Sequence, residues 1–258
     1  MIFGIIPIEI RTHRGTKFWK LRRIYPLATG PTDFFDFIVK PGYEKQVVDS
    51  FSDWLHNHPF QWDELFLYLF PECSSNWQPL IDSIRAYGFD PEVDKSHYFN
   101  FVDTSKDWET YFENYLSPNI KDLQKGIRRM AADDFQVTAE KIKGDFQPHL
   151  EEHYHLYAIR RDSKDQADSM EDQRKRDFLA EVIKAYKKTG NVELWRLHDQ
   201  YDQTWAYQLN WIYDGIRYLY SHSFNEDFSR YSPGKYLLFK IIEDAFQDPE
   251  FSECNFMR

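Results

Sequence analysis

The sequence predicts an α/β fold of the α+β kind, in which helices flank mixed, mostly antiparallel sheets. Strand-like apolar runs alternate with amphipathic helical segments in both halves of the chain. The last third has the order strand, strand, strand, loop, helix, strand. Because the alternation occurs twice, we expect two related α/β units, residues 1–104 and 105–258, rather than two unrelated domains.

Short strands and two helices make up the first half. Runs of β-branched residues and alternating apolar residues predict strands, since a period of two places apolar side chains on one face of a sheet. The predicted strands are Ile5–Ile10, Phe18–Ile24, Phe34–Val39, Leu65–Phe70 and His97–Val102. Apolar residues at helical spacing predict helices at Tyr43–His56 and Trp77–Tyr87, the second ending at Gly88.

The second half begins with a long helical pattern, Trp108–Met130, which is interrupted at Ser117-Pro118 because proline favours the first turn of a new helix. Asp214-Gly215 is a strong hairpin signal between the last two of three consecutive strands. The predicted strands are Phe135–Ile142, Leu194–His198, Trp205–Ile212, Ile216–Ser223 and Asn255–Met257. The predicted helices are Gln147–Arg160, Arg174–Lys188 and Gly234–Phe246.

Charge and composition exclude several classes of protein. The net charge of −10 argues against a general nucleic-acid binder and against docking on an anionic membrane, so we expect no DNA partner. No run of 18 apolar residues occurs, which predicts no stable membrane insertion. The two cysteines, Cys73 and Cys254, form no metal or redox motif, and we expect a cytoplasmic protein without a metal.

The segment Arg230–Leu238 is the strongest candidate for a binding site. It links an apolar strand to an apolar helix through a loop that contains Gly234. Backbone N–H groups at the start of a helix have no intrahelical partner and lie at the positive end of the helix dipole, which suits a pyrophosphate. Gly234 allows close approach, and Lys235 and Arg230 add charge-assisted hydrogen bonds. The alternative is an ordinary turn followed by a helix cap.

Several segments together resemble the CelD-like acetyltransferases, a branch of the GNAT acyltransferases named for cellulose biosynthesis. The segments are Trp205–Leu209, Tyr218–Tyr220, Tyr231–Leu238 with its Tyr-Ser-Pro-Gly, Ile242–Ala245 and Asn255–Arg258. The general GNAT loop, [Q/R]-x-x-G-x-[G/A], matches at Gly234, whereas Tyr231 and Tyr236 stand where the family has Gln or Arg and Gly or Ala. The resemblance covers nearly the whole chain.

The resemblance implies a fold of two GNAT-like halves, the second of which binds acetyl-CoA or another acyl-CoA as co-substrate. The implied loop residues are Arg230, Tyr231, Ser232, Gly234, Lys235 and Tyr236. Backbone N–H groups of a splayed strand, at Ser221 and Ser223, would hold the thioester carbonyl. The implied acceptor is a small molecule or polysaccharide precursor, namely an amine or hydroxyl on a sugar, lipid or cell-envelope precursor.

The implied reaction is direct attack of the acceptor on the thioester, with the enzyme positioning the reactants. His222 lies on the strand that would hold the thioester, and a histidine there could act as general base near neutral pH. Glu243 is a second candidate catalytic residue. The alternatives are a structural histidine at His222 and a solvated helix face at Glu243.

Two other patterns suggest chemistry. His149, Glu152 and His153 match H-x-x-E-H, a zinc-protease pattern, with His155 nearby. No third carboxylate ligand follows, so the preferred interpretation is an exposed helix face. A second pattern is a basic face at helical spacing, formed by Lys121, Lys125, Arg128 and Arg129. It predicts either a solvated face or contact with an anionic substrate or RNA acceptor.

Relative to the CelD-like family, the sequence begins within the first half and ends before the family's closing strands, which predicts a fragment. A homodimer or a complementing fragment would then cover the sheet edge at Phe256. Two alternative functions remain. The first is Fem-like aminoacyl transfer from tRNA, because those proteins also pair two GNAT halves. The second is a non-catalytic remnant or interaction module.

Overall fold

The computed structural model describes residues 1–14, 20–27, 34–95, 98–116, 120–162 and 173–257. The chain divides into two compact units, Met1–Tyr98 and Phe99–Arg258. Both units combine helices with sheets whose neighbouring strands are mostly antiparallel, which confirms the predicted fold class. None of the described helices is long and apolar enough to cross a membrane.

The first unit contains two small sheets and two helices. One sheet pairs β1 (Gly4–Ile5) with β4 (Ile38–Val39), and the other has β3 (Lys20–Pro26) between β2 (Ile8–Arg14) and β5 (Glu64–Leu65). The helices are α1 (Glu44–Asn57) and α2 (Trp77–Ala86). Apolar residues from both helices and from β3 form one core, which includes Ile24, Phe37, Val48, Phe51, Leu55 and Leu80.

Several strands of the first unit are shorter than the sequence predicts. Of the predicted run Leu65–Phe70, only Leu65 lies in a strand, β5 (Glu64–Leu65), and the chain then leaves the extended conformation, with a φ of 57° at Leu69. Leu67 and Phe70 instead pack against the core, which explains the apolar run. Further differences are a division of Ile5–Ile10 into two strands at Pro7 and pairing of only the last two residues of Phe34–Val39. Phe18, Trp19 and His97 lie outside the described residues.

The second unit is built on a six-stranded sheet with the order β6-β11-β10-β9-β8-β7. The strands are β6 (Phe101–Asp103), β7 (Val137–Lys141), β8 (Val192–Asp199), β9 (Thr204–Tyr213), β10 (Ile216–Phe224) and β11 (Glu253–Asn255). Only β10 and β11 are parallel neighbours in this sheet. Asp214 and Gly215 have φ values of 50° and 73°, which confirms the predicted hairpin between β9 and β10.

Helices cover both faces of this sheet. They are α3 (Trp108–Tyr111), which continues as a π-helical segment (Phe112–Leu116), then α4 (Lys121–Ala132), α5 (Gln147–Asp162), α6 (Gln173–Lys187) and α7 (Pro233–Gln247). Met130 of α4 and Leu237 of α7 pack with Trp205 on one face. Leu150 of α5 and Ile183 of α6 pack on the other face. The sheet is therefore the middle of three layers.

The pairing of β6 with β11 assigns residues 101–103 to the second unit. The predicted boundary, between residues 104 and 105, had placed them in the first half. The interpretation of residues 1–104 and 105–258 as two GNAT-like halves stays a prediction.

Candidate functional site

The corner between β10 and α7 turns the chain through a short 3-10 helix, Glu226–Tyr231. Asn225 caps it, its side chain accepting a hydrogen bond from the Asp227 N–H at 3.0 Å. Ser232 then adopts the left-handed conformation, with φ 56° and ψ 51°, and Pro233 starts α7. Such a conformation costs a non-glycine residue about 1 kcal/mol or more, so the surrounding packing has to hold it.

Tyr231 supplies much of that packing. Its side chain is 6% exposed and lies 5.1 Å from the ring of Trp205 and 5.5 Å from that of Phe135, measured between centroids. Its hydroxyl donates to the Asp133 carboxylate at 2.7 Å. Burial and this bond raise the pKa of Tyr231. Tyr231 was predicted to bind the co-substrate, and the structure shows its ring inside the core beneath the corner.

The first turn of α7 presents backbone donors. Pro233 has no N–H, and the first helical hydrogen bond runs from the Tyr236 N–H to the Ser232 carbonyl at 3.1 Å. The N–H groups of Gly234 and Lys235 therefore precede the intrahelical ladder. A Cβ added to Gly234 would lie 3.6 Å from Cδ1 of Phe224, an ordinary contact. The fold of the chain itself does not require glycine at this position.

Two cations flank the corner, and both are paired with carboxylates. Arg230 Nη2 lies 3.0 Å from Asp133, and Lys235 Nζ lies 2.7 Å from Asp122. The Lys235 ammonium lowers the pKa of Asp122. Side chains in these pairs are 35% to 69% exposed, and such surface pairs contribute only about 0–1 kcal/mol. An anion at the corner can therefore compete for both cations at small cost.

Helix α4 approaches the corner closely at Gly126. A Cβ on Gly126 would lie 2.2 Å from the Tyr231 carbonyl oxygen, so only glycine fits there. Three residues further on, the Arg129 guanidinium donates to the Arg230 carbonyl at 2.6 Å. These contacts fix the corner from the outside. The sequence around Gly126 carries no local signal for this contact, because Tyr231 is distant in sequence.

Strand β10 changes its pairing along its length. Its register with β11 covers Ile216–Tyr218, and Leu219–Phe224 pairs with β9 alone among the described strands. We call Leu219–Phe224 the one-sided segment. Its register with β9 shifts between Leu219 and Ser221, so Tyr220 is a bulge residue.

The bulge determines which helical layer each later side chain faces. Before it, Leu219 packs in the core beneath α7. After it, Ser221 and Ser223 contact α5, while Phe224 packs in the core beneath α7. His222 alternates with the two serines, so it lies on the α7 side of the strand, with Gln208 as its neighbour on β9. The His222 side chain is exposed, as a base that meets an acceptor must be.

The hydroxyls of Ser221 and Ser223 both bind one histidine. Oγ of Ser223 lies 2.8 Å from Nδ1 of His153, and Oγ of Ser221 lies 3.1 Å from Nε2. All three residues are buried. Burial, and secondarily the nearby His222, lowers the pKa of His153 to about 3. The predicted role of Ser221 and Ser223 through their backbone N–H groups stays a prediction.

Glu243 lies away from the corner. It is on α7, nine residues beyond Gly234, roughly 14 Å along the axis at about 1.5 Å per residue. Its carboxylate accepts from Lys240 Nζ at 2.7 Å. The structure thus brings His222 and the loop residues to one end of α7 and places Glu243 further along it. A catalytic role for Glu243 remains a prediction that this placement does not favour.

A buried arginine fixes α7 on the sheet. The side chain of Arg217 is fully buried and donates to the Ile241 carbonyl at 2.7 Å and to Asp244 at 2.8 Å. Glu193 lies 3.1 Å from its Nε, and the Phe251 ring lies 4.0 Å from Cζ. The sequence signal that could have identified this contact is an arginine in an otherwise apolar strand.

The H-x-x-E-H pattern forms a polar face of α5 that meets the sheet. The Tyr207 hydroxyl donates to Glu152 at 2.7 Å and lies 2.9 Å from Nδ1 of His149. Desolvation, with the bond to Glu152, raises the pKa of Tyr207. The expectation of an exposed helix face is wrong for His153, which is 0% exposed. No cluster of metal-binding side chains occurs among the residues described.

A pocket of about 360 Å³ lies in the first unit. Apolar side chains of Phe3, Ile6, Val47 and Phe51 line it, together with Gln46 and Ser50. It contains none of the predicted site residues.

Known structures share this fold. The chain is similar to FemX, with a TM-score of 0.60 and 9% identity over 100% of this chain and 76% of that chain. It is also similar to the C-terminal domain (DUF2156) of a putative lysylphosphatidylglycerol synthetase from Agrobacterium fabrum. That likeness has a TM-score of 0.57 and 11% identity over 98% of this chain and 70% of that one. At such identities the likeness concerns the fold alone.

A search of the curated proteins gives no significant match. Residues 119–258, however, match the family model of the acetyltransferase (GNAT) domain. The matched region is more than half of the chain and contains β10, the corner and α7. The chain therefore belongs to the GNAT acetyltransferase family and is an acyltransferase.

Proposed function

We propose that this protein transfers an acyl group, acetyl in the simplest case, from acyl-CoA to an amine or hydroxyl on a sugar, lipid or cell-envelope precursor. One observation carries the proposal. The start of α7, with its backbone donors, lies against the end of the one-sided segment, where the site of a Gly234 Cβ is 3.6 Å from Phe224. A phosphate-binding helix end and a strand edge therefore adjoin.

In this arrangement the N–H groups of Gly234 and Lys235 bind the pyrophosphate of the donor. Lys235 and Arg230 release their carboxylates and contact the phosphates. Gly234 has no steric role within the chain itself, so its value is the close approach of a ligand to the backbone.

The one-sided segment receives the thioester. Backbone N–H groups of this segment that point away from β9 stabilise the oxyanion that develops on the carbonyl oxygen. The acceptor nitrogen or oxygen forms a bond to the carbonyl carbon, His222 takes its proton, and the carbon–sulfur bond breaks to release the thiolate, which is then protonated. Positioning of the two reactants supplies most of the rate enhancement.

The CelD-like branch remains our proposed place for the chain within the family. It is supported by Tyr231-Ser232-Pro233-Gly234 followed by an apolar helix, and by Trp205–Leu209 on the adjacent strand. The acetyl group and the precursor acceptor rest on this resemblance.

Aminoacyl transfer from tRNA is the second candidate. The observation that favours it is the likeness to a domain of a putative lysylphosphatidylglycerol synthetase, whose name implies lysyl transfer to a lipid. The exposed basic residues Lys121, Lys125 and Arg128 of α4 would then contact phosphates. Binding of tRNA falls steeply with salt, and this separates the two donors.

Calorimetric titration with acetyl-CoA, and with lysyl-tRNA at 50 and 200 mM salt, tests both candidates. Gly234→Asp places a carboxylate where the pyrophosphate would bind, and we expect acetyl-CoA binding to weaken at least about ten-fold, which is about 1.4 kcal/mol. Stability should not fall, because an acidic residue in the first turn of a helix is favourable. Gln78→Asp, at the same position of α2, is the matched control and should bind normally.

Equal binding by wild type and Gly234→Asp would refute the proposed site. Salt-sensitive binding of lysyl-tRNA without binding of acetyl-CoA would establish the second candidate. Binding of neither donor would favour the non-catalytic interpretation.

A further inference from the structure

His153 connects α5 to the one-sided segment of β10. Its ring is fully enclosed and bridges two serines that alternate along the strand, at 2.8 Å from Ser223 and 3.1 Å from Ser221. His222 lies between these serines in sequence and on the opposite side of the strand. The histidine therefore holds the strand from behind at the residues that flank the candidate base.

The protonation state of His153 gives this bridge a defined polarity. Because its pKa is lowered to about 3, the ring is neutral at physiological pH. A neutral imidazole has one N–H donor and one acceptor nitrogen. One serine hydroxyl therefore accepts from the ring and the other donates to it. Both bonds are buried, so water does not replace either of them.

The one-sided segment is the part of β10 where such support matters most. Residues Ile216–Tyr218 have ladders on two sides, whereas the described ladder beyond them runs to β9 alone. The bulge at Tyr220 interrupts even that ladder. A strand held on one side and bulged opens more readily than one held on both. The bridge adds a restraint from the α5 layer, and it does so without covering the backbone edge opposite β9.

We propose that His153 is a positioning residue, which fixes the backbone of the one-sided segment and the direction of His222 for the acyl donor. The identity of the donor rests on the proposed function. The restraint on the strand does not, because it acts in the protein without a ligand.

Hydrogen exchange of the ligand-free protein tests the restraint directly. His153→Phe keeps an aromatic ring and removes both hydrogen bonds. We expect amides of residues 221–224 to exchange about ten-fold to a hundred-fold faster, while those of β8 keep their protection. His155→Phe is the same change at an exposed position of α5, and it should alter exchange neither at residues 221–224 nor in β8. If His153→Phe does not fold, the double variant Ser221→Ala/Ser223→Ala removes the same bonds and replaces it.

Titration with acetyl-CoA tests the functional consequence. We expect the Kd to rise about ten-fold in His153→Phe and to return to within about three-fold of wild type in His153→Gln, since an amide also has one donor and one acceptor. A role in global stability alone predicts no change in Kd for either variant, because the titration measures binding to the folded protein.

Local acceleration of exchange, together with weaker binding that glutamine rescues, would support the proposal. Unchanged exchange, or equal acceleration throughout the sheet, would overturn it. Failure of wild type to bind acetyl-CoA would instead refute the proposed donor, and the exchange pattern would still decide the role of His153.

Discussion

The first three residues of β10 pair with strands on both sides, whereas Leu219–Phe224 pairs with β9 alone among the described strands. The two-sided part carries Arg217, fully buried and bound to α7. The one-sided part carries His222, exposed, between two serines that face α5. One strand thus serves the fold at its beginning and the candidate site at its end.

The difference between the two parts shows how one strand, β10, combines a rigid scaffold with an accessible edge. Ladders occupy both backbone edges of the two-sided part and ionic contacts occupy the Arg217 side chain, so these groups are not available to a ligand. In the one-sided part, support comes from a side chain in the layer behind the sheet. Substitutions among the contacts that support the fold and those that support the candidate site should therefore separate stability from donor binding, and four experiments test this.

The largest effect is expected in the two-sided part. Arg217→Met removes a buried cation from Glu193 and Asp244 and should lower the free energy of unfolding by about 3–5 kcal/mol, because it leaves both carboxylates with poorer partners. Urea unfolding measures the loss. Lys184→Met is the control, since Lys184 and its partner Glu181 are 69% and 76% exposed, and it should cost about 1 kcal/mol or less. Equal losses of unfolding free energy in the two variants would contradict the special role of the buried Arg217.

The second effect concerns acid. The pKa of His153 is about 3 in the folded protein and about 6.5 unfolded, so the unfolded state takes up the proton first as the pH falls. The contribution of neutral His153 to the free energy of unfolding is complete above pH ~6.5. It declines by about 1.4 kcal/mol per pH unit as the pH falls toward ~3. Urea midpoints at several pH values between these limits should fall more steeply for wild type than for His153→Gln. Parallel pH profiles of the urea midpoint for the two proteins would contradict the assignment of this pH dependence to His153.

A pair of glycine substitutions tests the corner. Gly126→Ala places a Cβ 2.2 Å from the Tyr231 carbonyl oxygen, and we expect a loss of about 1–3 kcal/mol with weaker donor binding. Gly234→Ala meets only an ordinary contact at 3.6 Å and should raise stability by up to about 1 kcal/mol. Thermal unfolding measures both. A stability loss in Gly234→Ala would show that the fold needs this glycine.

The smallest effect on stability is expected at the surface pairs. Lys235→Gln breaks the contact with Asp122 and should change stability by less than about 0.5 kcal/mol, while the Kd for acetyl-CoA rises roughly five-fold. Lys106→Gln breaks a similar exposed pair with Asp103 and should leave binding unchanged. An equal effect of the two substitutions on binding would exclude a phosphate contact by Lys235.

The sequence was sufficient to predict the elements that position the corner. Alternation predicted the three strands before it, Asp214-Gly215 predicted the hairpin, and Pro233-Gly234 marked the start of α7 within one residue. These are local signals, because backbone preference and period depend on neighbouring residues. The resemblance to the GNAT family was carried by sequence segments in and around these elements, including Trp205–Leu209 and Tyr231–Leu238.

Contacts between distant residues were not predictable in this way. Nothing near Gly126 indicates that Tyr231 will lie against it, and nothing near His153 indicates the two serines. The strand Leu65–Phe70 was overestimated because an apolar run looks the same whether it enters a sheet or a core. Sequence period thus located the corner but not the residues that support it.

The bulge at Tyr220 also has an evolutionary consequence. Side chains alternate along β10, but Tyr220 and Ser221 both face the α5 layer, so the bulge absorbs one additional residue. Loss of the Tyr220 codon would leave Leu219 and Ser221 as successive residues opposite Asn210 and Leu209, and the histidine and the serines would keep their layers. In this protein the strand can therefore change its length by one residue at this point while the same groups surround the candidate site.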